Sequence, residues 1–208
     1  MMTLYFSPFS PYARKVRTVI REAGLLDQVA ETHAQPLDNP PALAQANSLN
    51  KVPTLVCDDG LVLMNSHLIC EYLADLGHNT TGQGAHLYPA GNERWPAKRL
   101  EALADGVMDA IVNNRIEIAL RETKPDARWT ERWRLAITRT CGVWADEVET
   151  FAADWHIGSI AVAVALEYID LRYPDYDWRA QHPGLVPFFK TAKSKANFQA
   201  TYPQPVPA

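Results

Sequence analysis

Asn50-Lys51-Val52-Pro53-Thr54-Leu55-Val56 is the stretch around which the first third of the chain is organised. A proline that opens a β-branched run starts a strand, because its missing N–H falls before the ladder begins. Val52-Pro53 is also a place where a cis peptide bond would turn its backbone toward a ligand. About 5% of X-Pro bonds in folded proteins are cis, so the residues alone favour the trans form. Beyond the proline, Thr54-Leu55-Val56-Cys57, the turn Asp58-Asp59-Gly60 and Leu61-Val62-Leu63-Met64 spell a β-hairpin.

The flanks extend this pattern in both directions. After the hairpin, Ser66 is expected to cap a helix whose apolar face is Leu68, Ile69, Tyr72, Leu73 and Leu76, ending at Gly77. Upstream, Thr3-Leu4-Tyr5-Phe6 reads as a strand stopped by Ser7-Pro8-Phe9-Ser10-Pro11. Val16, Val19, Ile20 and Ala23 then recur at helical spacing up to Gly24. Ser7 and Ser10 both precede a proline and compete to be the helix N-cap. Starting at Ser7 would carry Pro11 into the helix, where its missing N–H disturbs the ladder, so the capping argument favours Ser10. Val29–His33 predicts a second strand, and Pro41–Ala46 a short helix. Residues 1–77 therefore read as β-α-β-α-β-β-α.

Residues 78–92 hold glycines, threonines and Pro89 without periodicity, and are read as a linker. Residues 93–208 read as all-helical. Leu100, Leu103, Ala104, Val107, Met108, Ile111 and Val112 trace one stripe. Trp129, Trp133, Ile137, Cys141, Trp144, Val148 and Phe151 trace another, with the tryptophans expected in the core. Ser159 is expected to cap a helix over Ile160–Arg172 that is apolar on every side until Glu167, which suits the middle of a bundle. A later helix is expected between Pro187 and Phe198, and Pro203-Gln204-Pro205-Val206-Pro207 is read as a surface strap.

Composition narrows the function. The 208 residues are 47% apolar and 21% charged with a net charge of -4, which gives no attraction for phosphate backbones and argues against nucleic acid as a partner. The run Ile160–Leu166 is far too short to span a membrane, and the first residues do not form a signal peptide, so a cytoplasmic protein is expected. Three widely spaced cysteines, Cys57, Cys70 and Cys141, fit neither a disulfide framework nor a zinc site and are read as reduced core residues. The six histidines show no ligand spacing, so no metal is expected.

Ser10-Pro11-Tyr12-Ala13-Arg14-Lys15-Val16-Arg17, Lys51-Val52-Pro53-Thr54-Leu55 and Ser66-His67-Leu68-Ile69-Cys70-Glu71-Tyr72-Leu73, in this order and at these separations, resemble the cytosolic glutathione S-transferase superfamily. The closest pattern is that of bacterial-type members with a serine at the catalytic position. The resemblance covers nearly the whole chain. It implies an α/β plus all-α protein, with a thioredoxin-like first domain that binds glutathione and a helical second domain that forms the electrophile pocket. It also implies a cis bond before Pro53, a homodimer, and a role in detoxification.

Carried over residue by residue, the resemblance makes Ser10 the group that activates the glutathione thiol. Lys51, Val52 and Pro53 form the edge that receives the cysteinyl part, with Val52 offering its backbone N–H and C=O. Asn65 and Ser66 hold the γ-glutamyl group. Ser7 and Tyr5 stand nearby as rival hydroxyls, and Met108 and Val112 are candidates for the electrophile wall. Serine cannot form a mixed disulfide, which points to thiol activation for attack on small electrophiles. A glutathione-dependent isomerase, dehalogenase or peroxidase would use the same Ser10, and a non-catalytic glutathione-binding or scaffold protein is the rival of another class. Two departures from the family stand out. Asn65 replaces the usual acidic residue, which predicts weaker glutathione binding because charge-assisted bonds are the stronger ones. Val162 removes the acidic partner of the usual Ser/Thr-x-x-Asp capping box at Ser159.

Overall fold

A computed structural model of the chain describes residues 1–119 and 121–204. The chain forms two compact units, Met1–Arg94 with Lys195–Ala208, and Trp95–Ser194. The C-terminal segment from Lys195 thus groups with the first unit, whereas its helical pattern alone had left it with the second. Pro205, Val206 and Pro207 of the expected strap lie outside the described residues.

The first unit is a thioredoxin-like α/β fold in the expected order. It comprises β1 (Met2–Phe6), α1 (Pro11–Glu22), β2 (Val29–His33), α2 (Pro41–Ala46), β3 (Thr54–Val56), β4 (Val62–Met64) and α3 (Ser66–Thr81). The sheet runs β2-β1-β3-β4. β1 pairs parallel with β2 and antiparallel with β3, and β3 pairs antiparallel with β4. The period-2 alternation of β1 buries Met2, Leu4 and Phe6. Leu4 faces Leu55, and Leu55 faces Leu63, so one apolar row crosses three strands. In the hairpin turn Gly60 takes φ 88°, and its N–H donates to the Cys57 carbonyl at 3.0 Å.

α1 packs against α3, and Val16, Val19, Ile20 and Ala23 of the one and Ile69, Cys70, Leu73 and Ala74 of the other are buried. Gly77, expected to end α3, lies inside it, and the helix continues to Thr81 before Gly82 caps it at φ 73°. The glycine is there for contact. A Cβ at Gly77 would sit 2.6 Å from the Ala23 carbonyl oxygen and 2.7 Å from the Ala23 Cβ. A continuous helical run thus replaces the first part of the expected linker, because close approach, not helix termination, is what this glycine supplies.

The second unit is helical, with α4 (Arg94–Ala119) entering it from Arg94, then α5 (Ala127–Glu147), α6 (Ile157–Arg172), α7 (Trp178–Gln181) and α8 (Leu185–Ser194). Leu100, Ala104, Val107, Met108 and Ile111 are buried along α4, and Ile137, Cys141 and Trp144 along α5. Trp129 departs from the expected core stripe. It is 51% exposed and stacks on Trp133 at 5.7 Å, since its place in the first turn of α5 reaches past the packed region. α6 begins three residues earlier than expected. His156, not Ser159, is the N-cap, and its Nδ1 accepts from the N–H groups of Gly158 and Ser159. Ser159 Oγ accepts from the His156 N–H at 2.9 Å, so a capping box exists without an acidic residue. The expected last helix is split into α8 and α9 (Ala196–Gln199), the latter belonging to the first unit.

No helix among the described residues is long and apolar enough to cross a membrane. All three cysteines are buried and reduced. The steric reading of Gly77 predicts that Gly77→Ala lowers unfolding stability by about 1–3 kcal/mol, the usual range for overpacking. Urea denaturation measures this, and an unchanged midpoint would refute it.

Candidate functional site

Strand register brings the predicted site residues to one edge of the sheet. Tyr5 pairs with Thr54, and Thr54 pairs with Met64, so the three residues form one row across β1, β3 and β4. Because β3 is antiparallel to both neighbours, its start lies where β1 and β4 end. Pro53 immediately precedes Thr54, Asn65 immediately follows Met64, and the Ser7–Ser10 turn follows β1. Three segments far apart in sequence therefore leave the sheet on the same side. Adjacent strands lie about 4.8 Å apart, which separates the ends of β1 and β4 by about 10 Å.

Ser10 occupies the N-cap of α1 with extended backbone at φ -80° and ψ 116°. Its Oγ accepts from the Ala13 N–H at 3.2 Å, and its own N–H donates to the Ser7 carbonyl at 3.0 Å. Pro11 follows at the first helical position, as the sequence requires. The cap uses a lone pair of the hydroxyl, leaving its proton available to an acceptor at the positive end of the helix. Ser7 is buried, whereas Ser10 and Tyr5 are half-buried, so the enclosed Ser7 is the weaker of the rival hydroxyls.

The turn before β3 is held by buried side chains that the sequence did not single out. Asn47 Nδ2 donates to the Thr54 hydroxyl at 2.8 Å and to the Lys51 carbonyl at 3.2 Å. Thr54 Oγ1 donates to the same Lys51 carbonyl at 2.7 Å, and Asn47 Oδ1 accepts from the Leu49 N–H at 3.0 Å. Both side chains are essentially without exposure, so each of these polar atoms needs its partner. Lys51 itself is exposed, and Val52 is half-buried. The Val52–Pro53 bond is cis. Ladder pairing ends at Thr54, which leaves the backbone of Val52 outside it. Only the asparagine after the α2 apolar pattern could have flagged this network, and asparagine there is a common helix-end residue.

At the opposite end of the row the roles of two residues differ from the sequence reading. Asn65, not Ser66, is the N-cap of α3: its Oδ1 accepts from the His67 N–H at 3.0 Å. Ser66 is the first helical residue and is buried. Asn65 has φ 77°, a left-handed conformation in which asparagine is tolerated better than most residues. Its carbonyl is committed to the cap, so the Nδ2 donors are what it can offer to a ligand.

The remaining candidates fall into place more simply. On α4, Met108 is fully buried and Val112 half-buried, so Met108 belongs to the core of its unit. Burial pushes the Cys141 thiol up to about 12 and raises that of Cys57, which makes neither a nucleophile at neutral pH.

Comparison with known proteins gives a concordant picture. A family model described as Glutathione S-transferase, N-terminal domain, matches residues 9–76. The chain is 29% identical to the Uncharacterized GST-like protein YibF of Escherichia coli (strain K12), over 97% of this chain and 98% of that one. It resembles the crystal structure of a glutathione transferase family member from Pseudomonas fluorescens Pf-5 with bound glutathione. The two are 37% identical over 99% and 100% of their lengths, with a TM-score of 0.90. A second similar structure, a glutathione s-transferase from Methylobacillus flagellatus KT with GSH bound, is 33% identical over 98% and 100% with a TM-score of 0.88.

The Asn47 network predicts that Asn47→Ala destabilises the chain by about 1–3 kcal/mol, the cost of leaving buried polar partners unmade. Urea unfolding reads this directly. An unchanged midpoint would show that the turn is held by other means.

Proposed function

The chain belongs to the glutathione S-transferase family, and from that premise we propose that it binds glutathione and activates the thiol as a thiolate for attack on small electrophiles. The observation that carries the reading is the Tyr5–Thr54–Met64 row, which sends Ser10, Val52 and Asn65-Ser66 to one sheet edge.

In this reading Val52 hydrogen-bonds the cysteinyl backbone as an added strand would, and Lys51 and Pro53 flank it. The γ-glutamyl carboxylate meets Ser66, the N–H groups of the first turn of α3 and the Asn65 Nδ2 donors. The ammonium of the same group gains no countercharge from Asn65. The thiol lies at Ser10. A free thiol of pKa about 8.5 is mostly protonated at neutral pH. Lowering it by about two units requires about 2.7 kcal/mol of preference for the anion. The Ser10 hydroxyl donating to the sulfur, with the positive end of α1 behind it, supplies an interaction of that order. The thiolate sulfur then bonds to the electrophilic carbon, the leaving group or displaced electron pair departs from that carbon, and the thiol proton passes to solvent.

Isomerase, dehalogenase and peroxidase activities would draw on the same activated thiolate. Family membership also supports a homodimer, which sedimentation equilibrium tests.

Titration of bound glutathione by thiolate absorbance is expected to give a raised thiol pKa in Ser10→Ala with binding retained; an unchanged pKa would remove Ser10 from its role. Absence of glutathione binding at millimolar concentration by calorimetry would overturn the enzyme reading. Asn65→Asp keeps a short capping side chain suited to positive φ and replaces the Nδ2 donors with a charged oxygen that can meet the ammonium. It is expected to tighten glutathione binding about fivefold, equivalent to about 1 kcal/mol. Equal or weaker binding would refute the charge argument.

A further inference from the structure

α1 carries a second polar group that thiol activation by Ser10 leaves unused. Arg14, in the second turn of the helix, is only 3% exposed. Its guanidinium lies over the Phe198 ring at 4.2 Å and 5.7 Å from the centre of the Tyr202 ring. Nη2 donates to the Phe198 carbonyl and Nε to the Thr201 hydroxyl, each at 3.4 Å. Both distances are at the long end for hydrogen bonds, and the two aromatic rings enclose the same group. Thr18 completes the junction: its hydroxyl donates to the Arg14 carbonyl at 3.0 Å and meets Thr201 Oγ1 at 3.1 Å. Phe198 and Thr201 are buried as well. The C-terminal segment from Lys195 groups with the first unit, and this junction fastens it to α1.

Burial lowers the Arg14 pKa to about 9, opposed by Tyr202 and assisted by Arg17, so the group remains cationic at neutral pH. A charge shielded from solvent is screened little by salt, and its field extends beyond its own turn. The Arg14 N–H donates to the Ser10 carbonyl at 3.0 Å. Residues so related are neighbours on a helix, with Cβ atoms about 5–6 Å apart. A thiolate held at Ser10 is therefore near the base of the Arg14 side chain.

Building on the glutathione reading of this site, we propose that Arg14 is a positioning residue for thiol activation. Its charge, clamped by residues 198–202, adds to the positive potential that α1 presents at Ser10. The C-terminal segment, remote in sequence from every other site residue, thereby becomes part of the site's electrostatics. Arginine suits this role because its planar head can be stacked and enclosed while it stays charged, whereas a buried lysine loses its proton more readily.

The test compares the full-length protein with Arg14→Met and Arg14→Gln. For each, the bound glutathione thiol is titrated by thiolate absorbance, glutathione binding is measured by calorimetry, and folding is followed by circular dichroism. The two neutral variants are expected to raise the bound thiol pKa by about one unit while still binding glutathione. Arg14→Gln retains donors for Phe198 and Thr201, so it carries the test should Arg14→Met not fold. An unchanged pKa in a folded neutral variant would overturn the proposal. Failure of the wild type to bind glutathione would instead defeat the reading on which this one rests.

Discussion

The mixed strand register of the first unit is the constraint on which the candidate site depends. Had β3 run parallel to β1, its proline would open at the far edge of the sheet, and no local sequence change could bring Val52 to Ser10. The antiparallel pairing of Tyr5 with Thr54 and of Thr54 with Met64 makes the start of one strand coincide with the ends of two others. A one-residue slip in β3 would turn Leu55 out of the apolar row it shares with Leu4 and Leu63. Burial of that row thus holds the register, and the register holds the site.

Helix termini convert this alignment into chemistry. α1 and α3 start beside the strand ends that feed them, so both present unsatisfied N–H groups and a positive dipole end at that edge. Their mutual approach is close because Gly77 has no side chain to meet Ala23. In the proposed reading the two helices act on neighbouring parts of one extended ligand: the first favours the cysteinyl sulfur anion near Ser10, the second the γ-glutamyl carboxylate near Ser66. The same preference for negative charge explains why a tripeptide with a thiol and a free carboxylate fits the family site.

Much of this was readable from the amino acids because it rests on local patterns. Ser10-Pro11 names its own cap, the Asp-Gly turn names the hairpin, and the order of the elements in the first unit follows from periods of two and of three to four. What was not readable depends on contacts made at a distance. Gly77 looks like a stop signal until Ala23 is seen beside it. His156 caps α6 because its Nδ1 can accept two N–H groups, a role that imidazole shares with no local signature. Asn47 and Thr54 become a pair only when the turn closes, and Arg14 finds Phe198 and Thr201 across 184 and 187 residues of sequence. In each case the residue type permits several uses, and the tertiary neighbour selects one.

Asn65 shows how a departure from family pattern acquires a physical sense. The position demands a left-handed backbone and a helix cap at once, and the proposed reading adds a ligand contact. A glutamate would bring charge, but its longer side chain neither tolerates positive φ as readily nor caps as well as a short one. Asparagine meets the first two demands and serves the third only through its donors, since its carbonyl is held by His67. In the proposed reading the exchange favours the γ-glutamyl carboxylate over the ammonium on the same carbon. What reads in sequence as a lost charge is, in the folded chain, a short side chain that suits a left-handed backbone and caps a helix.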